Sequence, residues 1–209
     1  MRGKLITFEG IDGSGKTTMV AHVARRLQLL GVPHLVTREP GGTELGAEIR
    51  AIVLRREMEP LAELFLYVAD RAEHVARVIR PALEKGLVVL CDRYADATLA
   101  YQGYGRGLPL TVVRDVSTWA MAGVTPDLTI VLDCEIAEAR RRRARRGDRF
   151  EDEAFLARVR EGYLKIAREE PERVRVISSS GSEDDTARRV WAAVCSVLEG
   201  DSTPRGERR

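Results

Sequence analysis

The stretch FEGIDGSGKTT, residues 8–18, holds Gly10, Gly15, Lys16 and Thr17 in the spacing G-x-x-x-x-G-K-T. Glycines in such a loop let successive backbone N–H groups converge on one anion, and a helix starting directly after adds positive potential. The grip would be formed by Gly10, Ile11, Asp12, Gly13, Ser14, Gly15, Lys16, Thr17 and Thr18. Lys16 can reach the β and γ phosphates of a nucleotide, and the Thr17 hydroxyl can ligate Mg²⁺. The motif names a phosphate without saying whose it is or what becomes of it.

Three further groups bear on that question. In CDRY, Cys91 to Tyr94, a charged pair ends an apolar run. Ligands of open parallel sheets bind beyond the carboxyl ends of the strands, so Asp92 can hold Mg²⁺ and Arg93 can clamp a phosphoryl oxygen with its fork of donors. The block RRRRARRGDRFEDEAF, residues 140–155, suggests a nucleic-acid patch at first. Acidic residues follow it at once and Gly147 interrupts its helix, which suits a lid over transferring phosphates better, at about 140–153. Tyr67 and Arg71 are four residues apart on one helix face, where a ring can stack on a base and a guanidinium can donate to a base carbonyl. From the residues alone, a core tyrosine beside a surface arginine is the simpler reading of that pair.

The elements that must position these groups can be read from the hydrophobic pattern. Apolar runs at 4–10, 34–37, 87–92, 128–133 and 174–177 are continuous rather than alternating, as in strands covered on both faces. Helical periodicity fills the gaps at 16–30, 43–56, 60–84, 109–122, 135–146, 151–169 and 183–199. In the long 60–84 segment, Leu61, Leu64, Phe65, Val68, Ala72 and Val75 should face the core, and Pro81 should kink or shorten the last turn. The alternation implies a parallel α/β sheet. A single domain, 1–199, is expected, with a disordered polar tail at 200–209.

Composition narrows the class. The 209 residues carry a formal charge of only +2, too little to argue for nucleic acid. Of 34 basic residues only Lys4, Lys16, Lys85 and Lys165 are lysine, so a lysine inside the glycine loop suggests that a compact ammonium is needed there. Cys91, Cys134 and Cys195 lack metal or redox spacing and read as buried thiols in a reducing compartment. Without a signal-like start or a membrane-length apolar run, the expectation is a cytoplasmic protein with no membrane partner.

Taken together, these pieces resemble bacterial thymidylate kinases over nearly the whole chain. FEGIDGSGKTT resembles the family's phosphate loop, TREPGGTELGAEIR (37–50) its second signature, DRYADATLAYQGYGRG (92–107) its third, and DRFED its lid. The resemblance implies a five-stranded parallel sheet wrapped by helices, a homodimer, and phosphorylation of dTMP by ATP with Mg²⁺. It also implies that Asp12 holds the deoxyribose 3′-hydroxyl and that Arg38, Glu39 and Pro40 line the acceptor side, with a cis bond before Pro40. Tyr67 would stack on thymine, Arg71 would donate to its O4, and Arg93 would grip the 5′-phosphate. Tyr101 would exclude a 2′-hydroxyl, and Gln102 would complete the nucleoside contacts. Because Gly13 and Ser14 stand where part of the family has a loop arginine, Arg149, with Arg145 or Arg146, would reach the transferring phosphoryl from the lid.

Two departures stand out. Ala97 replaces an expected serine, which leaves Thr98 to supply a hydroxyl, and VISSSGSED (176–184) lacks the expected aspartate on the adenine side. Within the same fold, a kinase of another nucleoside monophosphate or of a small alcohol remains open. From other classes, a nucleotide switch would need a guanine-reading N-K-x-D segment, and an arginine-rich nucleic-acid binder would show steep salt dependence.

Overall fold

A computed structural model describes residues 3–144 and 152–199. The lid arginines Arg145, Arg146 and Arg149 and the tail at 200–209 lie outside the described residues.

Five strands form one sheet in the order β2-β3-β1-β4-β5, every neighbouring pair parallel. They are β1 (Leu5–Glu9), β2 (His34–Arg38), β3 (Val88–Asp92), β4 (Leu128–Asp133) and β5 (Val174–Ser178). From central β1 the chain crosses to the edge strand β2, returns with β3 between them, and then builds to the other side with β4 and β5. That reversal leaves a crevice at the carboxyl ends of the central strands. The register puts Phe8 opposite Asp92 and Glu9 opposite Val131, so the phosphate loop and the Asp92-Arg93 turn leave the sheet side by side.

Helices cover both faces, which explains the unbroken apolar runs in β1, β3 and β4. On one face α1 (Lys16–Leu29) and α9 (Glu183–Glu199) close a core of Ile6, Phe8, Val20, Leu27, Ile130 and Val190. On the other, α8 (Glu153–Glu169) lays Leu156, Val159, Tyr163 and Ile166 against Val131, Val174 and Leu64. A third cluster joins Leu5 and Val89 to Val75, Ile79 and Leu83. Cys91 and Cys134 are buried free thiols, while Cys195 is half-buried.

The α2 helix (Glu44–Arg55) is capped by Thr43, whose side chain accepts from the Gly46 amide. The 60–84 segment is helical throughout but changes pitch. It runs as α3 (Pro60–His74), a π-helical turn (Val75–Ile79) and α4 (Arg80–Glu84). Pro81 has no N–H to donate one turn back, and the preceding turn takes the wider spacing instead.

The face expected to pack inward needs correction. Leu64 and Val75 are buried, but Leu61 and Phe65 are 48% and 52% exposed, and Ala72 is exposed as well. Asp70, Arg71 and His74 are buried in their place.

The sequence pattern also passes over α5 (Ala95–Thr98) and the π-helical turn Leu99–Gly105 that continues it. This stretch buries residues on every side, so it carries no amphipathic stripe to read. The remaining helices are α6 (Leu110–Met121) and α7 (Ile136–Ala144). No helix among the described residues is long and apolar enough to cross a membrane.

Candidate active site

The chain leaves β1 through the glycine loop and enters α1 at Lys16, with Gly15 as its N-cap at φ 97°. Gly13, at φ 87°, lies so close to α7 that an added Cβ would stand 2.3 Å from the Ala139 carbonyl oxygen. A side chain there is excluded by both backbone conformation and space. The loop therefore has no room for an arginine at 13.

Lys16 folds back over the loop, its Nζ donating to the Gly10 and Ile11 carbonyls at 3.0 Å each. The Ile11 side chain is buried in the core, so these two residues contribute backbone rather than side chains. Burial, reinforced by Arg93, pulls the Lys16 ammonium down to about 8, against Asp12, Asp92 and Glu9, which raise it. Arriving phosphate oxygens would supply the negative charge that this ammonium is short of. The Ser14 hydroxyl is buried without a partner among the described residues. At the start of α1 the Thr17 hydroxyl donates to Asp92 at 2.7 Å, which brings together the two expected metal ligands from β1's loop and β3's end.

Arg93 follows Asp92 with φ 70°, a conformation uncommon outside glycine, and its amide is held by the Phe8 carbonyl at 2.9 Å. Strained backbone of this sort clusters where side-chain aim matters. The guanidinium donates to Asp12, to the Tyr101 hydroxyl at 3.1 Å and to the Tyr163 hydroxyl at 3.3 Å, and lies 4.7 Å from the Tyr101 ring centre. Burial acts to lower its pKa, but Tyr101, Asp12, Tyr163 and Glu9 hold it well above the ordinary arginine value.

A cavity of about 780 Å³ opens over these groups. Residues Asp12 to Thr18 form its floor, with Arg93, Tyr94 and Tyr101 beside them. Glu39, Pro40, Tyr67, Arg71, Thr98 and Gln102 line the same cavity. The Glu39–Pro40 bond is cis, as expected. Ala97 and Thr98 both face the space, and the Thr98 hydroxyl accepts from Arg71 at 2.8 Å.

Arg71 is not the surface residue that its type alone suggests. It is 1% exposed, its Nε donating to Glu39 at 2.9 Å and Nη2 to the Tyr94 carbonyl at 2.9 Å. His74 holds the other Glu39 oxygen at 3.0 Å. The second terminal nitrogen of Arg71, Nη1, is buried without a partner among the described residues. An unspent donor at the wall of a cavity marks a place for a ligand acceptor.

Arg38 departs from expectation. It is exposed and is not among the residues lining the cavity, because β2 ends on it with its side chain outward and the next residue, Glu39, takes the inward position.

Residues 8–190 match the model of the family described as thymidylate kinase. The chain belongs to the thymidylate kinase family. A thymidylate kinase of Pelotomaculum thermopropionicum is 51% identical over 207 residues, covering 95% of this chain and 96% of that protein. One from Deinococcus radiodurans is 49% identical over 199 residues, covering 92% and 97%. The crystal structure of thymidylate kinase from Ehrlichia chaffeensis superposes with a TM-score of 0.77 at 35% identity, covering 95% of this chain and all of that one. The chain is accordingly an enzyme, a phosphotransferase for dTMP, on a nucleoside monophosphate kinase fold. The switch and nucleic-acid readings fall away.

Several groups at the site had no signal in the sequence. Glu9 is fully buried under the loop, accepting from the Tyr94 amide at 2.7 Å and the Tyr163 hydroxyl at 2.9 Å. Burial, with Asp96 nearby, pushes its carboxyl up to about 8 despite Arg93 and those two hydrogen bonds. Its strand position made it look like an ordinary end residue. Arg142 emerges from the arginine block onto the cavity wall, fixed by Glu138 at 3.0 Å and the Ser179 carbonyl at 2.9 Å. Ser179, Gly181, Glu183 and Thr186 line the same end, at the turn where an aspartate was missed. Glu63, outside every motif, and Arg106, inside the 92–107 signature but without a role of its own there, line the same cavity.

Proposed function

We propose that this cavity aligns the γ-phosphate of ATP with the 5′-phosphate of dTMP and moves the phosphoryl group between them. The observation that carries the reading is that one cavity is walled by both a phosphate loop with its lysine and an arginine, Arg93, aimed from the end of a different strand. A phosphate acceptor is already anionic at neutral pH, so no general base is required, and catalysis rests on alignment and charge neutralisation. Lys16 and the loop amides hold the donor phosphates. Arg93 grips the acceptor phosphate, with Asp12 steadying that guanidinium and reaching the 3′-hydroxyl. Tyr101 lies where a ribose 2′-hydroxyl would be, Tyr67 stacks on the base, and the free Nη1 of Arg71 donates to its O4. Thr98 and Gln102 complete the pocket.

The Thr17 hydroxyl and the Asp92 carboxylate offer hard oxygen donors beside the phosphate loop, a set that suits Mg²⁺ sharing its remaining positions with phosphate oxygens and water. Bound there, Mg²⁺ would offset charge on the β and γ oxygens. The final cation comes from the lid, in Arg149 with Arg145 or Arg146, since Gly13 leaves no space for one in the loop.

The partner is a second copy of the chain. Leu61 and Phe65 on α3 and Val112 and Trp119 on α6, exposed by 40% or more, belong to two helices that pack together, and they support a homodimer through that surface. The absence of a membrane-length helix among the described residues suits a cytoplasmic enzyme.

The reading is tested at the lid. Arg149→Ala should lower kcat by on the order of 10³, by analogy with arginine fingers, while dTMP binding measured by titration changes little. Near-normal turnover would remove Arg149 from the mechanism.

A further inference from the structure

Glu63, Tyr67 and Arg71 recur every four residues and so share the face of α3 that borders the cavity. Tyr67 and Arg71 already have roles in the proposed function. Glu63 has none, yet it makes one of the shortest side-chain contacts at the acceptor end. Its Oε1 accepts from Gln102 Nε2 at 2.6 Å, and its Oε2 accepts from Arg106 at 3.1 Å. Gln102 itself is 2% exposed, set in the π-helical turn Leu99–Gly105, and cannot swing out into solvent.

An amide side chain can present either face to a cavity, the oxygen as an acceptor or the NH₂ as a donor. Which one it shows decides what it reads. A carboxylate paired with a guanidinium can only accept, so the amide that touches Glu63 must turn its NH₂ toward it. The oxygen of Gln102 is then the atom left to the cavity. Arg71 lines the same cavity, and its Nη1, without a partner among the described residues, can only donate.

We propose that Glu63 is a specificity-determining residue that acts through Gln102, locking its amide oxygen toward the base so that the pocket pairs one donor with one acceptor. Thymine and uracil carry an acceptor at O4 beside a donor at N3–H. Cytosine carries the reverse, an amino donor beside a bare N3. With Glu63 in place, a cytosine ring would set like against like at both positions, which a hydrogen-bonding site rejects strongly. Glu63 touches no substrate in this scheme. Its part is to remove the choice from Gln102, and the Arg106 contact holds the Glu63 carboxylate in place.

This inference rests on the proposed base contacts, and the test separates the two. Steady-state kcat/KM is measured for dTMP and dCMP with wild type, Glu63→Gln and Glu63→Met. Glutamine can offer either an oxygen or an NH₂, which frees Gln102 to rotate, and methionine keeps the bulk while removing the acceptor. Both variants should lower the dTMP-to-dCMP ratio by about tenfold or more, the scale of one charge-assisted hydrogen bond, with KM for ATP within about twofold. A loss of activity that leaves the ratio unchanged in both variants would make Glu63 merely structural and overturn the inference, while the assignment of dTMP stands. A wild type that prefers dCMP would overturn the base contacts and the inference with them.

Discussion

Arg93→Lys isolates the acceptor grip from everything else in the site. Lysine keeps the charge and makes the same backbone demand at φ 70°, so the turn after β3 is asked for nothing new. It loses the fork. In the wild type one guanidinium donates to Asp12, Tyr101 and Tyr163 and still faces the cavity, with 17% of its side chain exposed. A single ammonium cannot hold those partners and two phosphate oxygens together. Losing one charge-assisted hydrogen bond to the acceptor phosphate costs about 1.5–3 kcal/mol, or roughly 10- to 150-fold in kcat/KM. The loss should fall on dTMP, because in the proposed function the donor phosphates sit on Lys16 and the loop amides. Asp12 is 40% exposed and can turn to water, so stability should change by no more than about 1–2 kcal/mol. A coupled assay of ADP release, varying dTMP at saturating ATP and then the reverse, reads both constants. A dTMP kcat/KM within threefold of wild type, or an equal rise in KM for ATP, would refute the placement of Arg93.

Other perturbations follow from the buried charges. Arg71→Leu strands the Glu39 carboxylate, 4% exposed, with His74 as its remaining side-chain partner in this network. Breaking such a pair costs about 3–5 kcal/mol. At roughly 2–4 °C per kcal/mol for a domain of this size, Tm should fall by about 6–20 °C, and a fall under 3 °C would contradict the buried pairing. Glu9 makes a prediction in pH. Its folded pKa lies near 8, above the ordinary 4.5, so the folded chain keeps that proton longer than the unfolded one. Stability from this group is therefore full below about 4.5, falls as pH rises toward 8, and is flat beyond. Glu9→Gln mimics the protonated form, and thermal melts from pH 5 to 8.5 should show wild type losing stability relative to the variant. A difference that stays constant across that window would argue against a protonated Glu9.

Much of the fold was legible because parallel strands buried on both faces leave continuous apolar runs, and because the phosphate loop sits where a strand must meet a helix. All five strands fall within a residue or so of the apolar runs. The acceptor end was harder to read. Arg71 and Asp70 are buried polar residues that a hydrophobic stripe cannot reveal, and they displaced Leu61 and Phe65 from the expected core face. The 95–105 stretch hides its helix because it is packed from every side, with glycines at 103 and 105 against Leu110 and Phe155. Glu9 sits inside the glycine-loop stretch and Glu63 outside every motif, and neither role is legible there, since it comes from partners 154 and 39 residues distant. Arg38 was misjudged for a local reason, the one-residue alternation that turns Glu39 inward in its place.

The most direct measurement is ADP formation with dTMP, dUMP, dCMP, UMP and AMP offered separately at the same concentration, with ATP and Mg²⁺. The account predicts the highest kcat/KM for dTMP, a lower value for dUMP, and little turnover of UMP, whose 2′-hydroxyl meets Tyr101, or of dCMP and AMP, whose donor edges meet Arg71. Equal or faster turnover of a ribonucleotide or of dCMP would contradict the acceptor pocket described above.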